Sequence, residues 1–522
     1  NRPKAFLAPI FLSSGGNRDL ERSDTQNKDA QTPVHTPSSL RYDLPTLTRK
    51  KHVSLQKFFT FLGFASFFWA CPSFSGESVS EHAIENVTII DALNGIRENQ
   101  TVFFGADMIT GIKKSAPIPK NIEIIDGTGK YLIPGLWDFH VHLTYEASLV
   151  EEMPKLLLSY GVTSVRDTGG MLEKVLPVVK KMREPNAIAP RVFYAGPLLD
   201  GRDVVYDGES RPLIGVQNVD PDSARERIEF LKQQGASFIK IYEMVSPTVF
   251  KSMIEAAREN GMPVDSHVPL SMRARVAGAQ VDSIEHLRNI ELDCAKDNEA
   301  LHEERLAILQ NHDRLAGFFL RSNLHKLQRL SAIRNYSHTE CNATLRALSN
   351  TLQVPTLRLN SVALDPPFKR PDWADAFSRL PKKTQRDWNK LIEIQSRSTQ
   401  TNTEFAEWSL FLVGLMREQS VPIGAGTDTP IGLAIPGYSL HAELEMLVRA
   451  GLTPMEALAA ATLEPANYFS MQDRLGSIDV GKRADMVLLH KNPLDEISNT
   501  KNIARVISRG RVLTHKDFLA QD

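Results

Sequence analysis

Short apolar runs alternate with amphipathic stretches through the middle of the chain. Eight apolar runs predict buried strands: LWDFHVHL (136–143), VTSVRDTG (162–169), RVFYAGPLL (191–199), FIKIYE (238–243), PVDSHVP (263–269), VDSIEHL (281–287), VPTLRLN (354–360) and VPIGAGTD (421–428). Most are separated by stretches such as residues 221–235 and 246–261, whose apolar residues recur every three or four positions before a closing glycine. This alternation predicts an α/β fold with a parallel sheet, and eight units of it predict a closed (β/α)8 TIM barrel.

Both ends of the chain carry strand patterns without intervening helices. Residues 84–135 and 476–515 contain short apolar runs punctuated by glycine-containing turns. We expect residues 77–134 and 471–522 to pair into one small sheet domain that flanks the barrel of residues 135–470.

A long charged segment interrupts the strand–helix alternation late in the barrel. Residues 288–410 predict a helical insertion between strands 6 and 8, over the barrel mouth, because barrel active sites lie at the carboxyl ends of the strands. Its histidines have no ligand-like context and are expected on the solvated surface; they are His302, His312, His325 and His338. Substrate specificity is expected to reside in this insertion and in the loops.

The first 76 residues differ from the rest. Residues 13–48 are polar and aperiodic, which favours disorder. Basic residues from Arg49 onward then precede an apolar run from Phe58 to Ala70, which is the layout of a secretory signal. A buried N-terminal helix is the alternative. We expect export to a periplasmic or extracellular site, with Cys71 a candidate for lipid attachment.

Composition narrows the function classes. The 522 residues carry a formal net charge of −1, and the globular part contains no long basic run, so nothing favours a nucleic-acid partner. A hydrophobic content of 42% allows a large core. Of the three cysteines, Cys294 and Cys341 remain as an even pair once Cys71 is set aside, and their pairing or burial as free thiols stays open. The sequence is compatible with a homo-oligomer.

Metal-capable side chains recur at the ends of the predicted strands. His140 and His142 are two residues apart and therefore face the same side of a strand. On its own, such a pair is more often two ordinary half-buried histidines than a metal site. Here, however, further candidates follow on later strands: Lys240, His267, His286 and Asp428. Imidazole and carboxylate groups suit zinc and similar divalent ions.

These residues, in this order, resemble the metal-dependent amidohydrolase superfamily, and in particular its imidazolonepropionase-like and prolidase-like branch. The resemblance extends over residues 84–520 and is carried by GTGKYLIPGLWDFHVHL, GVTSVRDTGG, AGTDTP, ELEMLVRAGLTPMEALAAAT and GSIDVGKRADMVLL. It implies a barrel with a β-sandwich built from both chain ends. It also implies His140, His142 and Asp428 on one metal ion, and His267 and His286 on a second, with zinc the expected metal.

The resemblance gives Lys240 a specific role. In the binuclear members a carboxylated lysine at this position bridges both ions, and a buried lysine shifts readily to the neutral amine that carboxylation needs. The alternative is a salt-bridged lysine beside a single metal. The implied mechanism uses water activated by the metal, with Asp428 as general base and then general acid. Tyr242 and Arg166 are candidate substrate contacts, although Arg166 could equally pair with a neighbouring acid.

We therefore expect a hydrolase of carbon–nitrogen bonds that acts on a cyclic amide or a dipeptide-like small molecule. One alternative is a mononuclear deaminase or imidazolonepropionase-type enzyme. Another is a catalytically silent binding scaffold, which should have lost ligands that this chain retains.

Overall fold

The computed structural model describes residues 81–114, 117–311, 315–397 and 402–518. All of them belong to the compact unit that extends from Ser78 to Asp522. The predicted leader and signal segment, including Cys71, lies outside the described residues, as does His312. No helix among the described residues is both long and apolar enough to cross a membrane.

The strands of the described chain are β1 (His82–Asp91), β2 (Gly95–Gly105), β3 (Met108–Lys114), β4 (Glu123–Asp126), β5 (Tyr131–Pro134), β6 (Leu136–Val141), β7 (Val162–Asp167), β8 (Arg191–Tyr194), β9 (Leu198–Asp200), β10 (Gly215–Gln217), β11 (Ile239–Ile241), β12 (Val264–Ser266), β13 (Ser283–Glu285), β14 (Leu352–Val354), β15 (Met486–Leu489), β16 (Ile503–Ser508) and β17 (Arg511–Leu513).

The helices are α1 (Met153–Ser159), α2 (Leu172–Met182), α3 (Pro221–Gln233), α4 (Pro247–Glu259), α5 (Ala274–Ala277), α6 (Ile290–Asp293), α7 (Asn298–Gln310), α8 (Gly317–Arg334), α9 (His338–Ala347), α10 (Leu357–Asn360), α11 (Trp373–Ser378), α12 (Lys382–Ser396), α13 (Glu404–Glu418), α14 (Tyr438–Arg449), α15 (Pro454–Ala460) and α16 (Leu463–Tyr468).

One sheet combines strands from both ends of the described chain. Its order is β17-β16-β15-β5-β1-β2-β3, and β4 pairs with β1. The junction between the two ends is the antiparallel pair of β5 and β15, in which Ile133 lies opposite Val487. The sheet has its own apolar core, which includes Ile84, Phe104 and Met486. That this sheet forms a sandwich stays a prediction.

The parallel strands form a TIM-barrel-type fold. One set runs β6-β7-β8 and another β10-β9-β11-β12-β13-β14, all in parallel pairs. The stretch predicted as the third strand is divided into β8 and β9, which pair with neighbours on opposite sides. Residues 421–429 connect the last strand to the first through two parallel bridges, Gln353 with Ile423 and Val141 with Thr429.

Local sequence explains the barrel elements. Every residue of β6 is buried, as expected for a parallel strand covered on both faces. Helix α3 begins at Pro221 after Asp220, whose carboxylate accepts hydrogen bonds from the first-turn amides. Gly235 follows the helix with φ +83°, a left-handed conformation that favours glycine.

The predicted seventh strand is wrong in its position. The strand is Leu352–Val354, whereas residues 355 and 356 leave the sheet and residues 357–360 form α10. Thr356 has φ +45°, which ends the extended backbone. The Glu443 carboxylate then accepts hydrogen bonds from the backbone amides of Leu357 and Arg358, at the start of the helix.

Residues 288–410 are mainly helical and also contain β14. A disulfide joins Cys294, at the end of α6, to Cys341 in α9, so the structure pairs the two cysteines that the sequence left open. His325 in α8 contradicts the expectation of a solvated surface. Its side chain is 12% exposed, and its Nε2 atom lies 3.3 Å from Glu243 Oε2.

Candidate metal centre

The predicted ligands lie where the barrel strands end. His140 is in β6 and His142 follows it, while His267 and His286 directly follow β12 and β13. Asp428 lies in the 421–429 segment that bridges the last strand to the first. Because these strands are parallel, their carboxyl ends meet at one mouth of the barrel. All five side chains are buried there.

The histidines and Asp428 converge. Ligand-capable atoms of His140, His286 and Asp428 lie within 4.8 Å of one another. Asp428 Oδ1 is 3.1 Å from His142 Nε2, and the ring centroid of His267 is 4.9 Å from that of His286. The resemblance divides these side chains between two ions, but here His286 joins the same group as His140 and Asp428. Metal ligation by these residues stays a prediction.

Each of the four histidines has its Nδ1 atom engaged by a neighbouring group. The contacts are His140 with Glu285 Oε2 at 2.5 Å, His142 with the Gly169 carbonyl oxygen at 2.9 Å, His267 with Glu243 Oε1 at 2.7 Å and His286 with Thr356 Oγ1 at 2.7 Å. Such contacts fix the orientation of an imidazole and leave its Nε2 atom to serve as a metal ligand.

Asp428 contributes an unsatisfied buried oxygen. Its Oδ1 atom makes no hydrogen bond, although the Nε2 atoms of His140 and His142 lie 3.3 and 3.1 Å away. A buried carboxylate oxygen without a donor is costly unless a cation binds it. The imidazole and carboxylate donor set therefore fits a divalent metal such as zinc.

The surrounding charges set the protonation of these groups. Burial opposes the charged imidazolium of His140, but Glu285 and Asp428 outweigh it and raise its pKa to about 9. Burial and the positive charge of Lys240 lower the pKa of His267 to about 3. Burial also holds the pKa of His286 well below its usual value. His267 and His286 are therefore neutral at pH 7, as ligation requires, whereas His140 is protonated without a metal ion and would lose its proton when an ion binds.

Two of these residues have left-handed backbone conformations. The φ angles are +62° at His286 and +60° at Asp428. Only a few per cent of non-glycine residues adopt such angles, and histidine and aspartate are among the more tolerant. Strained backbone of this kind clusters at functional sites.

Lys240 lies in β11 within a balanced buried group of charges. Its Nζ atom donates to Asp265 Oδ2 at 2.8 Å and lies 3.9 Å from Glu285 Oε1. Arg166 pairs with the same two carboxylates. Two cations thus face two carboxylates, an arrangement that suits Lys240 as an ammonium. Carboxylation of Lys240 stays a prediction.

Arg166 is fully buried in β7. Its Nε donates to the Phe139 carbonyl oxygen at 2.7 Å, Nη1 donates to Ser283 Oγ at 2.9 Å, and Nη2 donates to Glu285. Of the two roles that the sequence left open, this position matches the ion pair with a neighbouring acid. A substrate contact by Arg166 has no support from the structure, because its donors are used inside the barrel.

Tyr242 lies beside the centre. Its ring centroid is 4.4 Å from that of His267 and 5.7 Å from that of Tyr206. Tyr145 in turn lies 6.4 Å from Tyr206 and 6.0 Å from the His142 ring. These tyrosines form an aromatic wall on one side of the histidines.

Four buried acids that orient the candidate ligands were not predicted from the sequence. They are Asp138, Glu243, Asp265 and Glu285. Each lies within or directly beside an apolar strand, and a charged residue there must be paired. A charged residue in an apolar strand is therefore the sequence signal that could have identified these acids. Asp138 accepts hydrogen bonds from Thr427 N at 2.9 Å and Thr427 Oγ1 at 2.6 Å, and so holds the Asp428 segment against β6.

Comparison with known proteins agrees with this geometry. The model of the amidohydrolase family matches residues 411–513. An imidazolonepropionase from Colwellia psychrerythraea is 23% identical over 424 residues, which cover 78% of this chain and 89% of the relative.

Two solved structures illustrate the shared fold. A Xaa-Pro dipeptidase with bound methionine in its active site has a TM-score of 0.59 at 20% identity, covering 83% of this chain and 99% of that chain. Bottromycin amidohydrolase has a TM-score of 0.62 at 21% identity, and the match covers 84% of this chain and 88% of that chain. Together the comparisons confirm the resemblance to the amidohydrolase superfamily and indicate a hydrolase that acts on carbon–nitrogen bonds.

Proposed function

Because this chain resembles the amidohydrolase superfamily and its relatives indicate a hydrolase of carbon–nitrogen bonds, we propose that it hydrolyses an amide bond in a dipeptide-like or cyclic small molecule with a divalent metal. The observation that carries the proposal is the convergence of His140, His142 and His286 on Asp428, whose Oδ1 atom is buried and makes no hydrogen bond. A bound divalent ion, zinc in this proposal, supplies an acidified water and polarises the substrate carbonyl.

Side chains of the protein position the ligands and transfer the proton. The Nδ1 contacts hold the imidazole rings in place, so that His140 and His286 keep their positions during turnover. Burial would raise the pKa of Asp428, but His140 and His142 outweigh it and hold that pKa well below its usual value. Asp428 is therefore ionised at pH 7 and accepts the proton of the attacking water, then delivers it to the leaving nitrogen.

Two metal stoichiometries follow from the two candidate states of Lys240. With two ions, a carboxylated Lys240 would help to hold both of them, as the resemblance implies. With one ion, the chain resembles mononuclear deaminases or imidazolonepropionase-type enzymes, and the salt bridge from Lys240 to Asp265 favours this second candidate. In both cases the reaction is hydrolysis of a carbon–nitrogen bond.

The test is a substrate panel on metal-loaded protein. Protein from residue 77 onward is stripped with chelator and reloaded with zinc. It is then assayed on dipeptides, N-acyl amino acids, hydantoins and imidazolonepropionate. We expect turnover of at least one class, lost in the stripped protein and restored by zinc. Absence of turnover across the panel with zinc bound would favour the binding scaffold.

We also propose that the chain is exported to a periplasmic or extracellular compartment. The disulfide between Cys294 and Cys341 supports this, because disulfides persist in oxidising compartments. Cell fractionation and N-terminal sequencing of the native protein test both the export and the lipid attachment at Cys71. Full-length protein in the cytoplasm would contradict the proposal.

A further inference from the structure

A cation lies at the mouth of the barrel beside the candidate metal centre. Arg288 follows His286 by two residues in the loop after β13, and its side chain is 19% exposed. Among the described residues, its only ion pair is with Glu243, whose Oε1 atom lies 3.6 Å from Arg288 Nη1. That separation is longer than a hydrogen bond. Arg288 therefore keeps donors available for another group.

The positive charge of Arg288 reaches the metal-site histidines. Arg288 lies two residues after His286, at the same strand end. Glu243 also links Arg288 to His267, because its Oε1 atom is 2.7 Å from His267 Nδ1. Arg288 thus belongs to the same cluster as two candidate metal ligands.

Positive charge is in excess around Glu243. Besides Arg288, helix α8 contributes Arg321, whose Nε atom lies 3.1 Å from Glu243 Oε1. The neighbouring His325 is neutral at pH 7, because burial holds its pKa well below the usual value. Two guanidinium groups therefore face one carboxylate in this part of the described chain. Excess buried charge is costly, and an anionic group of a ligand would relieve it.

The position of Arg288 suits a substrate carboxylate. In a dipeptide or an N-acyl amino acid, the carboxylate is three bonds from the carbonyl carbon that is attacked. If the carbonyl of such a substrate binds near His286, its carboxylate lies close to that carbonyl. The residues that follow His286, including Arg288, are then within its reach. The wall of Tyr145, Tyr206 and Tyr242 offers apolar contact to the rest of such a molecule.

We infer that Arg288 is a specificity-determining residue that binds a free carboxylate of the substrate, so that dipeptides and N-acyl amino acids are substrates and cyclic amides without a carboxylate are not. This inference rests on the proposed hydrolase function and names its substrate class. It moves the anion-binding role from Arg166, whose donors are used inside the barrel, to an arginine at the mouth.

The test separates carboxylate recognition from turnover. Binding of N-acetyl-L-amino acids and of their C-terminal amides to the zinc-loaded protein is measured by calorimetry. We expect at least one acid to bind about 10-fold to 100-fold more tightly than its amide, the range for a hydrogen bond to a charged group. Arg288→Met should abolish this preference without weakening amide binding, and Arg288→Lys should retain part of it.

A matched control is Arg346→Met, which removes an exposed arginine from α9 in the same insertion. It should leave the preference unchanged. The inference is overturned if wild type binds acids and amides equally. It is also overturned if Arg288→Met weakens acid and amide alike, which would indicate a structural role in holding Glu243.

Two outcomes distinguish this inference from the proposed function. Arg288-dependent binding of acids without hydrolysis of any amide bond would leave the carboxylate site standing and contradict the hydrolase function. Hydrolysis of hydantoins by both wild type and Arg288→Met would support the hydrolase function and contradict the carboxylate site at Arg288.

Discussion

His140 Nδ1 lies 2.5 Å from Glu285 Oε2, and the other carboxylate oxygen of Glu285 accepts a hydrogen bond from Arg166. An imidazole of the candidate metal centre is thereby connected through one carboxylate to a guanidinium in the barrel interior. Glu285 precedes His286 in the chain, so a single strand end supplies both a candidate ligand and the group that orients another.

Glu285→Gln tests this connection. The amide keeps the shape of the side chain but loses the charge that orients His140 and balances Arg166. We expect zinc affinity to fall by about 10-fold to 100-fold, as is typical when a group that supports a ligand is changed. Competition with a chromophoric chelator measures the affinity. Glu226→Gln, at an exposed position of α3, is the control, and equal affinity in both variants would contradict the proposed role.

Asp428→Asn tests proton transfer. The amide cannot accept the proton of the attacking water, so kcat should fall by about 1,000-fold at saturating zinc, within the range for loss of a general base. Steady-state kinetics on the best substrate of the panel measures the loss, and circular dichroism checks the fold. Asp473→Asn, at an exposed position, should retain full activity. An Asp428→Asn enzyme with more than a tenth of wild-type kcat would remove Asp428 from the mechanism.

Metal counting decides the state of Lys240. If Lys240 is carboxylated, wild type supplied with bicarbonate should hold two zinc ions per chain, and Lys240→Met should hold one. Elemental analysis of gel-filtered protein gives both numbers. One ion in both proteins would instead assign Lys240 to the salt bridge with Asp265 and favour the mononuclear candidate.

Gly426→Ala tests the close packing behind the centre. A Cβ atom at Gly426 would lie 2.7 Å from both His140 Cβ and Val354 Cγ1, so His140 has to move. We expect a loss of about 1–3 kcal/mol in the free energy of unfolding, typical of overpacking, together with weaker zinc binding. Urea denaturation of the metal-free protein measures the first effect.

The control for this change is two residues away. In Gly424→Ala the new Cβ would be 3.4 Å from Leu352 Cδ2 and Val354 Cγ2, which is ordinary contact, so both stability and zinc affinity should be close to wild type. If both alanine variants lost stability and zinc affinity equally, crowding at His140 would not be the cause of the loss.

Replacement of Cys294 and Cys341 by serine tests the disulfide. The bond closes a segment with a sequence separation of 47 residues. By loop entropy, its loss should lower the free energy of unfolding by roughly 4 kcal/mol. Denaturation of wild type with and without reductant, compared with the double serine variant, measures this. A variant as stable as oxidised wild type would contradict the contribution of the bond to stability.

The sequence predicted that these side chains lie together, because their positions follow from local geometry, while their role as metal ligands stays a prediction. His140 at the end of β6 and His142 directly after it are two residues apart, and parallel strands bring His267 and His286 to the same barrel mouth. By contrast, the Nδ1 partners come from other strands, as Glu285 does for His140. Their pairing depends on the distance between strands, which a linear pattern does not contain.

Two predictions failed for related reasons. The apolar run after Val354 suggested a longer strand, but the distant Glu443 starts α10 there by accepting two backbone amides. His325 has no ligand-like neighbours in sequence, and only the packing of α8 brings it to Glu243. In each case a side chain from a remote segment supplies the decisive contact.

The pairing of β5 with β15 has a consequence for how the chain reaches its native state. The two strands are joined by hydrogen bonds across roughly 350 residues of chain, and such distant contacts form slowly. During synthesis, one edge of β5 stays unpaired until β15, which is far later in the chain, has left the ribosome. An uncovered strand edge promotes association between chains. Nascent chains in which β15 has not yet been made are therefore the species most in need of a chaperone.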